Sequence, residues 1–199
     1  MDVIFQKIQQ TYHFSDYQIK VLKYMILGTL SDGSKMVFLC FLFYKLALFL
    51  PFLSALIPFL LLRQLTGGLH CKTYLGCLMA TLSYFLTITI LIPRFLFFER
   101  PVRLTLLLLC ALSEYLLGPV LSNRELQISK RVTQIKKEAV LFLIILYLLL
   151  DVFLPAEPYH LYGIYAIYLH AVQLTYTKIT KEVKIRHAQS DESFRTDIL

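Results

Sequence analysis

Long apolar stretches alternate with short charged connections along the chain. Five stretches carry at most one charged side chain each, and they are 36–62, 73–93, 104–120, 139–150 and 159–177. A helix that spans a membrane needs about 20 mostly apolar residues, and these stretches approach that length. Because backbone groups in lipid must pair within their own segment, the pattern predicts helices. The stretches do not show the alternation that is typical of membrane β-barrel strands.

The N-terminal part of the chain has a different pattern. Apolar side chains in residues 16–30 recur at helical spacing, whereas Lys20 and Lys23 lie on another side of the same helix. This predicts an amphipathic helix in the membrane interface, within an interfacial region over residues 1–35. The region has no continuous apolar core near its start and no small-residue cleavage site, so we do not expect a cleavable signal peptide.

The stretch 36–62 has two possible interpretations. It is too short for two full spans of about 20 residues each. As one span it would place the N-terminus outside, and as a shallow re-entrant hairpin it would place the N-terminus inside. A hairpin would bend near Pro51 and Pro58, because proline inside a helix removes a hydrogen bond and kinks the chain. Lysines in the N-terminal region favour the cytoplasm, so we predict the hairpin.

Basic residues in the connections predict the orientation. They are concentrated in 123–137 and in the segment that begins at Lys178, whereas 151–160 has no Lys or Arg. The positive-inside rule places the first two in the cytoplasm and the third outside. Counting back along the helices, 63–72 lies inside and 93–103 lies outside. Three arginines in 93–103 then lie on the side that the rule disfavours.

Composition agrees with a membrane protein. Of 199 residues 57 % are apolar and 17 % are charged, against about 45–50 % and about 25 % in soluble domains. High apolar content excludes a disordered chain, and only four cysteines exclude a disulfide scaffold. We predict an all-α, polytopic membrane protein with about six membrane helices. It forms one domain over 1–187, followed by a polar, disordered tail over 188–199.

The connection 63–77 carries the residues best suited to chemistry. It contains a glycine pair, one histidine and two cysteines, namely Gly67, Gly68, His70, Cys71 and Cys77. Cysteine attacks as the thiolate, and a nearby histidine can accept its proton, so a Cys–His pair is the smallest unit for acyl transfer. The residue types alone also fit a glycine-rich turn with an incidental histidine and two packing cysteines.

The spacing of these residues resembles the accessory gene regulator protein B (AgrB) family of membrane cysteine endopeptidases. Arg63, His70 and Cys77 form the pattern Arg-x6-His-x6-Cys around Gly-Gly-x-His. A second element at 118–124 reads Gly-Pro-Val followed by Asn-Arg. It is similar to the Ala-Pro-Val and Asn-Lys/Arg element of that family, with Gly118 in place of the usual Ala.

The resemblance implies a function in quorum sensing. Such proteins remove the C-terminal part of a small AgrD-like propeptide and join the new carboxyl end to an internal Cys, which gives a thiolactone. By the matching motif, His70 is the general base and Cys77 is the nucleophile, while Cys71 is the competing cysteine that the motif does not select. The charge pattern predicts a multi-pass protein of the cell membrane with its active site at the cytoplasmic face, and the resemblance implies a homodimer.

Local geometry restricts how this pair can meet. In one continuous helix, His70 and Cys77 would be separated by about 10.5 Å along the axis, too far for direct proton transfer. We therefore expect a new helix to begin near Thr73, with that residue as its N-cap. His70 would then fold back over the first turn. The positive end of the helix dipole would favour a thiolate at Cys77.

Other residues have both a functional and a structural interpretation. Candidate substrate-binding residues are Arg63, Gly67, Gly68, Lys130 and Arg131. The basic ones could equally set topology or bind lipid head groups. Glu114 could reach the surface, or form a polar site in the membrane and orient His70. His160 and His170 are expected to face an interface or the bundle interior without a catalytic role, and Cys40 and Cys110 are expected to pack.

The sequence does not predict a metal site. A zinc site formed by His70, Cys71 and Cys77 would lack a fourth ligand, so we expect neither a metal nor a cofactor. Membrane lipid and the propeptide are the expected partners, and nucleic acid is not. A peptide transporter, which Glu114 in an apolar stretch would suit, and a non-catalytic membrane scaffold stay open as alternatives. Neither of them requires the His70–Cys77 pair.

Overall fold

The computed structural model describes most of the chain as helices. It describes residues 11, 15–67, 73–96, 98–118, 130–154 and 159–196, and only the backbone of residues 24, 25, 130 and 181–196. The helices are α1 (Asp16–Lys45), α2 (Phe49–Thr66), α3 (Tyr74–Leu86), a π-helical turn (Thr87–Leu91), α4 (Ile92–Phe95), α5 (Arg100–Leu117), α6 (Lys130–Phe153) and α7 (Tyr159–Thr196). Since every regular element in these ranges is helical, the all-α prediction is confirmed for them.

Three of the described segments are long and apolar enough to cross a membrane. They are Asp16–Lys45, Phe49–Thr66 and Tyr74–Phe95, where the last comprises α3, the π-helical turn and α4. Helices α5, α6 and α7 cover the remaining apolar stretches of the sequence. The total of six membrane helices stays a prediction.

The chain consists of two compact units, Met1–Ala47 and Leu48–Leu199. The described part of the first unit is dominated by α1, which begins with a capping box at Ser15. The Ser15 hydroxyl accepts a hydrogen bond from the Gln18 N–H at 3.3 Å, and the Gln18 side chain accepts one from the Ser15 N–H at 2.8 Å. One helix therefore replaces the predicted interfacial helix and the start of the next stretch. The extent of a single domain over 1–187 stays a prediction.

The stretch 36–62 does not bend where its prolines predicted. It is divided between the end of α1 and most of α2, and the break lies at residues 46–48. Pro51 lies in the first turn of α2, where backbone N–H groups have no helical partner. Pro58 is buried within α2, and the helix continues through it. The prediction of a bend near these two prolines is therefore wrong. Pro51 removes no helical hydrogen bond at its position, and Pro58 is packed inside the second unit.

In the second unit, α2, α5, α6 and α7 surround one apolar core. The buried side chains of this core are Leu62, Leu107, Val140, Leu143, Ile144, Ile164 and Ile167. Helix α3 joins α2 through aromatic contacts, in which the rings of Tyr84 and Phe85 lie 4.8 and 5.1 Å from the ring of Phe59. The Tyr84 hydroxyl donates a hydrogen bond to the Ala166 carbonyl of α7 at 2.7 Å. Packing on both neighbours fixes the position of α3, the helix that carries Cys77.

The polar C-terminal segment is helical further than its composition predicted. Helix α7 continues to Thr196, whereas disorder was predicted from residue 188. The sequence after Gly163 contains neither Gly nor Pro, so nothing local interrupts a helix that has already begun. Once a helix has nucleated, each added residue contributes a backbone hydrogen bond, which explains the difference.

A buried ion cluster closes one end of the second unit. The Arg103 guanidinium lies 2.8 Å from the Asp151 carboxylate, and the His160 ring lies 3.1 Å from the same carboxylate. Asp151 is fully buried. Arg103, Asp151 and His160 therefore lie at the same end of the bundle. Asp151 also compensates the charge of Arg103, one of the three arginines that the positive-inside rule disfavoured.

Candidate active site

Cys77 lies in the first turn of a capped helix. The Thr73 hydroxyl accepts a hydrogen bond from the Gly76 N–H at 3.2 Å, and the Cys77 N–H donates to the Thr73 carbonyl at 3.1 Å. Helix α3 begins at Tyr74 with Thr73 as its N-cap, which confirms the predicted helix start. Cys77 is the fourth residue of the helix and is 8 % exposed. Its carbonyl also accepts a hydrogen bond from the Thr81 hydroxyl at 2.8 Å.

This position suits a nucleophilic cysteine. The first N–H groups of a helix carry partial positive charge, which stabilises a nearby thiolate. Burial limits the access of water to the sulfur, so a thioester formed there would be protected from hydrolysis. The predicted base His70 lies outside the described residues, as do Gly68 and Cys71. The pairing of His70 with Cys77 therefore stays a prediction.

Helix α2 ends at Thr66 and Gly67, just before the connection that contains the predicted base His70. Gly67 has φ of 84°, a backbone conformation that side chains other than that of glycine rarely tolerate. Its N–H donates to the Arg63 carbonyl at 3.1 Å and closes the helix. The buried Thr66 donates its hydroxyl hydrogen to the Leu62 carbonyl at 2.8 Å. The chain thus leaves α2 in a fixed direction just before the residues of the motif.

Arg63 offers a free donor near this end of α2. Its guanidinium lies over the Phe59 ring at 5.7 Å from the centroid. One terminal nitrogen, Nη2, is buried without a hydrogen-bond partner among the described residues. A buried donor without a partner is costly, so a ligand carboxylate or carbonyl would be bound favourably there.

A buried acid–base pair that was not predicted from the sequence lies beside the end of α2. The Nδ1 atom of His170 lies 2.7 Å from Oε1 of Glu114, and both residues are 1 % exposed. Glu114 therefore does not reach the surface, and its partner in the described residues is His170. The available signal was that two ionisable residues interrupt two otherwise apolar stretches, because such residues need a partner inside a membrane protein.

The pair contacts the end of α2 directly. The Nε2 atom of His170 lies 3.4 Å from the Gly67 carbonyl oxygen and 3.5 Å from the Thr66 hydroxyl. Gly118 ends α5 at the same place. A Cβ atom added to it would lie 3.3 Å from the Thr66 side chain and 2.7 Å from the Glu114 carbonyl oxygen. The absence of a side chain at Gly118 thus leaves room for Thr66 at the end of α2.

The remaining candidates have different surroundings. Arg131 is exposed near the start of α6, and of Lys130 only the backbone is described. Lys137 lies over the Tyr115 ring at 5.1 Å, so the basic start of α6 lies beside the end of α5. Cys40 and Cys110 are partly buried free thiols. Among the described residues, no group of three or more His, Cys, Asp or Glu side chains could hold a metal ion.

Comparisons with known proteins identify the family. The family model described as accessory gene regulator B matches residues 1–174. An AgrB-like protein of Clostridium beijerinckii is 44 % identical over 73 residues, which cover 34 % of this chain and 34 % of that protein. The match thus spans about a third of the length of this curated relative. No solved structure matches the chain. Since the family model covers most of the sequence, including 63–77 and 118–124, the chain belongs to the accessory gene regulator B family.

Proposed function

We propose that this protein is a membrane cysteine endopeptidase that cleaves an AgrD-like propeptide and cyclises it to a thiolactone. The observation that carries the proposal is the position of Cys77, in the first turn of a helix capped by Thr73. Family membership supports a role in processing the accessory gene regulator peptide. Three helices apolar enough to cross a membrane support a multi-pass location in the cell membrane.

Cleavage and cyclisation follow from one thioester. His70 accepts the proton of Cys77, and the thiolate attacks the carbonyl carbon of the scissile peptide bond. The C–N bond then breaks, the amine of the C-terminal piece takes the proton from His70, and the leader remains bound to Cys77 as a thioester. His70, now neutral, accepts the proton of an internal Cys of the leader. The resulting thiolate attacks the thioester carbonyl and forms the thiolactone, the bond to Cys77 breaks, and His70 returns the proton to the Cys77 sulfur.

A cysteine nucleophile is suited to this second step. Exchange of one thioester for another is nearly balanced in energy, because the bond that forms and the bond that breaks are of the same type. A serine nucleophile would instead leave an ester, from which formation of a thiolactone is uphill. Departure of the C-terminal piece and release of the product can then draw the reaction forward.

Binding of the propeptide is assigned to the basic and glycine residues around Cys77. Nη2 of Arg63, which has no hydrogen-bond partner among the described residues, can bind a carboxylate or carbonyl of the substrate. Lys130 and Arg131 begin α6 and can hold an acidic peptide segment, while Gly67 and Gly68 permit close approach of the substrate backbone. These contacts are assigned to the cytoplasmic face. In a homodimer, each protomer would carry one such site.

The test is co-expression with an AgrD-like propeptide, followed by mass spectrometry. The wild-type protein should yield a peptide one water lighter than its linear form, which hydroxylamine opens because it is a thioester. Cys77→Ala should abolish the product by removing the nucleophile. The matched control Cys71→Ala should keep most of it. Full processing by Cys77→Ala would refute the proposal, and loss confined to Cys71→Ala would transfer the nucleophile to that residue.

The contact of Glu114 with His170 weakens the argument for a transporter. A peptide transporter was suggested by a carboxylate within an apolar stretch, but that carboxylate lies against the ring of His170. A buried acid with an internal partner does not need a solute to compensate it. Export of an uncleaved propeptide by the Cys77→Ala protein would favour the transporter instead.

A further inference from the structure

The Glu114–His170 pair joins three helices at the point where the catalytic connection begins. Glu114 lies one turn before the end of α5, and His170 lies within α7. The free edge of the His170 ring faces the Gly67 carbonyl oxygen at 3.4 Å, at the end of α2. Helix α2 is followed within a few residues by His70, and then by α3 with Cys77. The pair therefore contacts the last described residue before that connection.

Two proton arrangements place one hydrogen between Nδ1 of His170 and Glu114 and another between Nε2 and the Gly67 carbonyl oxygen. In one, a protonated His170 donates Nδ1–H to the Glu114 carboxylate. In the other, a protonated Glu114 donates its O–H to a neutral His170. Both arrangements hold the same number of protons and carry no net charge, which a buried site tolerates. In both, the Nε2–H of His170 points at the Gly67 carbonyl, so Glu114 fixes the ring orientation that meets the end of α2.

The pair is better explained by the geometry it imposes than by stability. A buried ion pair often contributes no more than apolar side chains of similar volume would. Here the second oxygen of Glu114, Oε2, is buried without a hydrogen-bond partner among the described residues, which adds a cost. A buried polar contact that costs free energy but fixes a direction is expected where the helix ends must adopt one particular arrangement.

We propose that Glu114 and His170 are positioning residues, which hold Thr66 and Gly67 so that the following connection presents His70 to Cys77. This inference rests on the proposed function. His170 orients the end of α2, and Glu114 orients His170. Neither residue needs to touch the substrate. A displacement of about 1 Å at a reacting group can cost about 100-fold in rate, so loss of this anchor would slow the reaction without removing the nucleophile.

The chain contains a matched control at the opposite end of the bundle. Asp151 and His160, at the start of α7, also form a buried carboxylate–histidine pair at 3.1 Å. The neighbour of this pair is Arg103. Loss of this second pair removes a similar interaction from the same unit. It leaves the end of α2 untouched. Asp151→Asn therefore controls for the general cost of disrupting a buried pair.

The experiment uses the full chain in membranes, with Cys77 as the only cysteine. Alkylation of Cys77 by iodoacetamide is measured across a pH series for wild type, His70→Ala, His170→Gln, Glu114→Gln and Asp151→Asn. Propeptide cleavage gives kcat and KM for the same proteins, and thermal unfolding reports stability.

We expect His170→Gln and Glu114→Gln to shift the alkylation profile in the direction of His70→Ala. Their kcat should fall by about 10-fold or more, with KM changed by less than about two-fold. Asp151→Asn should lower stability only.

Each other result would overturn the inference. An unshifted alkylation profile in His170→Gln, beside a shifted one in His70→Ala, would show that the pair does not position the base. Equal shifts in Asp151→Asn would show a general effect of destabilisation. A rise in KM alone would make the pair a substrate-binding feature. Cleavage by a Cys77→Ala protein would instead refute the proposed function, and the alkylation profiles would still decide whether the pair positions His70.

Discussion

At the scale of the residue, the conformation of Gly67 determines how the chain leaves α2. With φ of 84° and ψ of −161°, it occupies a region that is almost confined to glycine. We predict that Gly67→Ala destabilises the protein by about 1–3 kcal/mol and lowers propeptide cleavage. Thermal unfolding in detergent measures the first effect, and mass spectrometry measures the second.

Two glycines of α1 provide the control for this substitution. A Cβ atom added to Gly28 or Gly33 would meet nothing within 4 Å. Alanine at either position should keep or raise stability, by up to about 1 kcal/mol, because it has the higher helix propensity. If Gly67→Ala were as stable as Gly28→Ala, the end of α2 would not depend on the glycine conformation.

Local features of the site could be predicted from the sequence, whereas long-range contacts could not. Thr73 could be predicted as an N-cap because capping is a local property of a few consecutive residues. The pairing of Glu114 with His170 could not, because 56 positions separate them and only the packing of α5 against α7 brings them together. The sequence indicated that each needed a partner, and it left open which one.

At the scale of the element, the start of α3 decides the environment of Cys77. The Thr73 hydroxyl accepts the Gly76 N–H, and loss of such a cap costs about 0.5–2 kcal/mol. We predict that Thr73→Ala frays the first turn and slows alkylation of Cys77, since frayed N–H groups no longer stabilise the thiolate. Thr73→Ser keeps the acceptor and should restore the wild-type rate. Equal rates in the alanine and serine variants would mean that the cap does not govern the thiol.

Helix breaks were less predictable than helix starts. The break between α1 and α2 lies at residues 46–48, which contain neither Gly nor Pro and favour a helix by propensity. Ala47 nevertheless has φ of 56°, a conformation that is unfavourable for alanine. No local pattern of the sequence predicts this break. The prolines that suggested a bend lie where the helix can accommodate them.

At the scale of the whole molecule, the two ends of the second unit differ in chemistry. One end holds the cluster of Arg103, Asp151 and His160. The other holds the ends of α2 and α5 with the basic start of α6. Counting membrane crossings back from the basic connections predicts these two ends on opposite sides of the membrane, and that topology stays a prediction. Which end faces the cytoplasm is determined when the chain inserts into the membrane. The distribution of basic residues predicts that orientation.

The orientation can be tested by labelling single cysteines in intact cells. In a background without other cysteines, Arg131→Cys marks the basic end and Glu157→Cys marks the opposite connection. We predict that an impermeant thiol reagent labels Glu157→Cys in intact cells and Arg131→Cys only after lysis, because basic connections stay in the cytoplasm. Labelling of both variants after lysis is the control for reactivity. Labelling of Arg131→Cys from outside would invert the topology, and Cys77 would then meet its propeptide on the outer face, where a cytoplasmic precursor could not reach it before export.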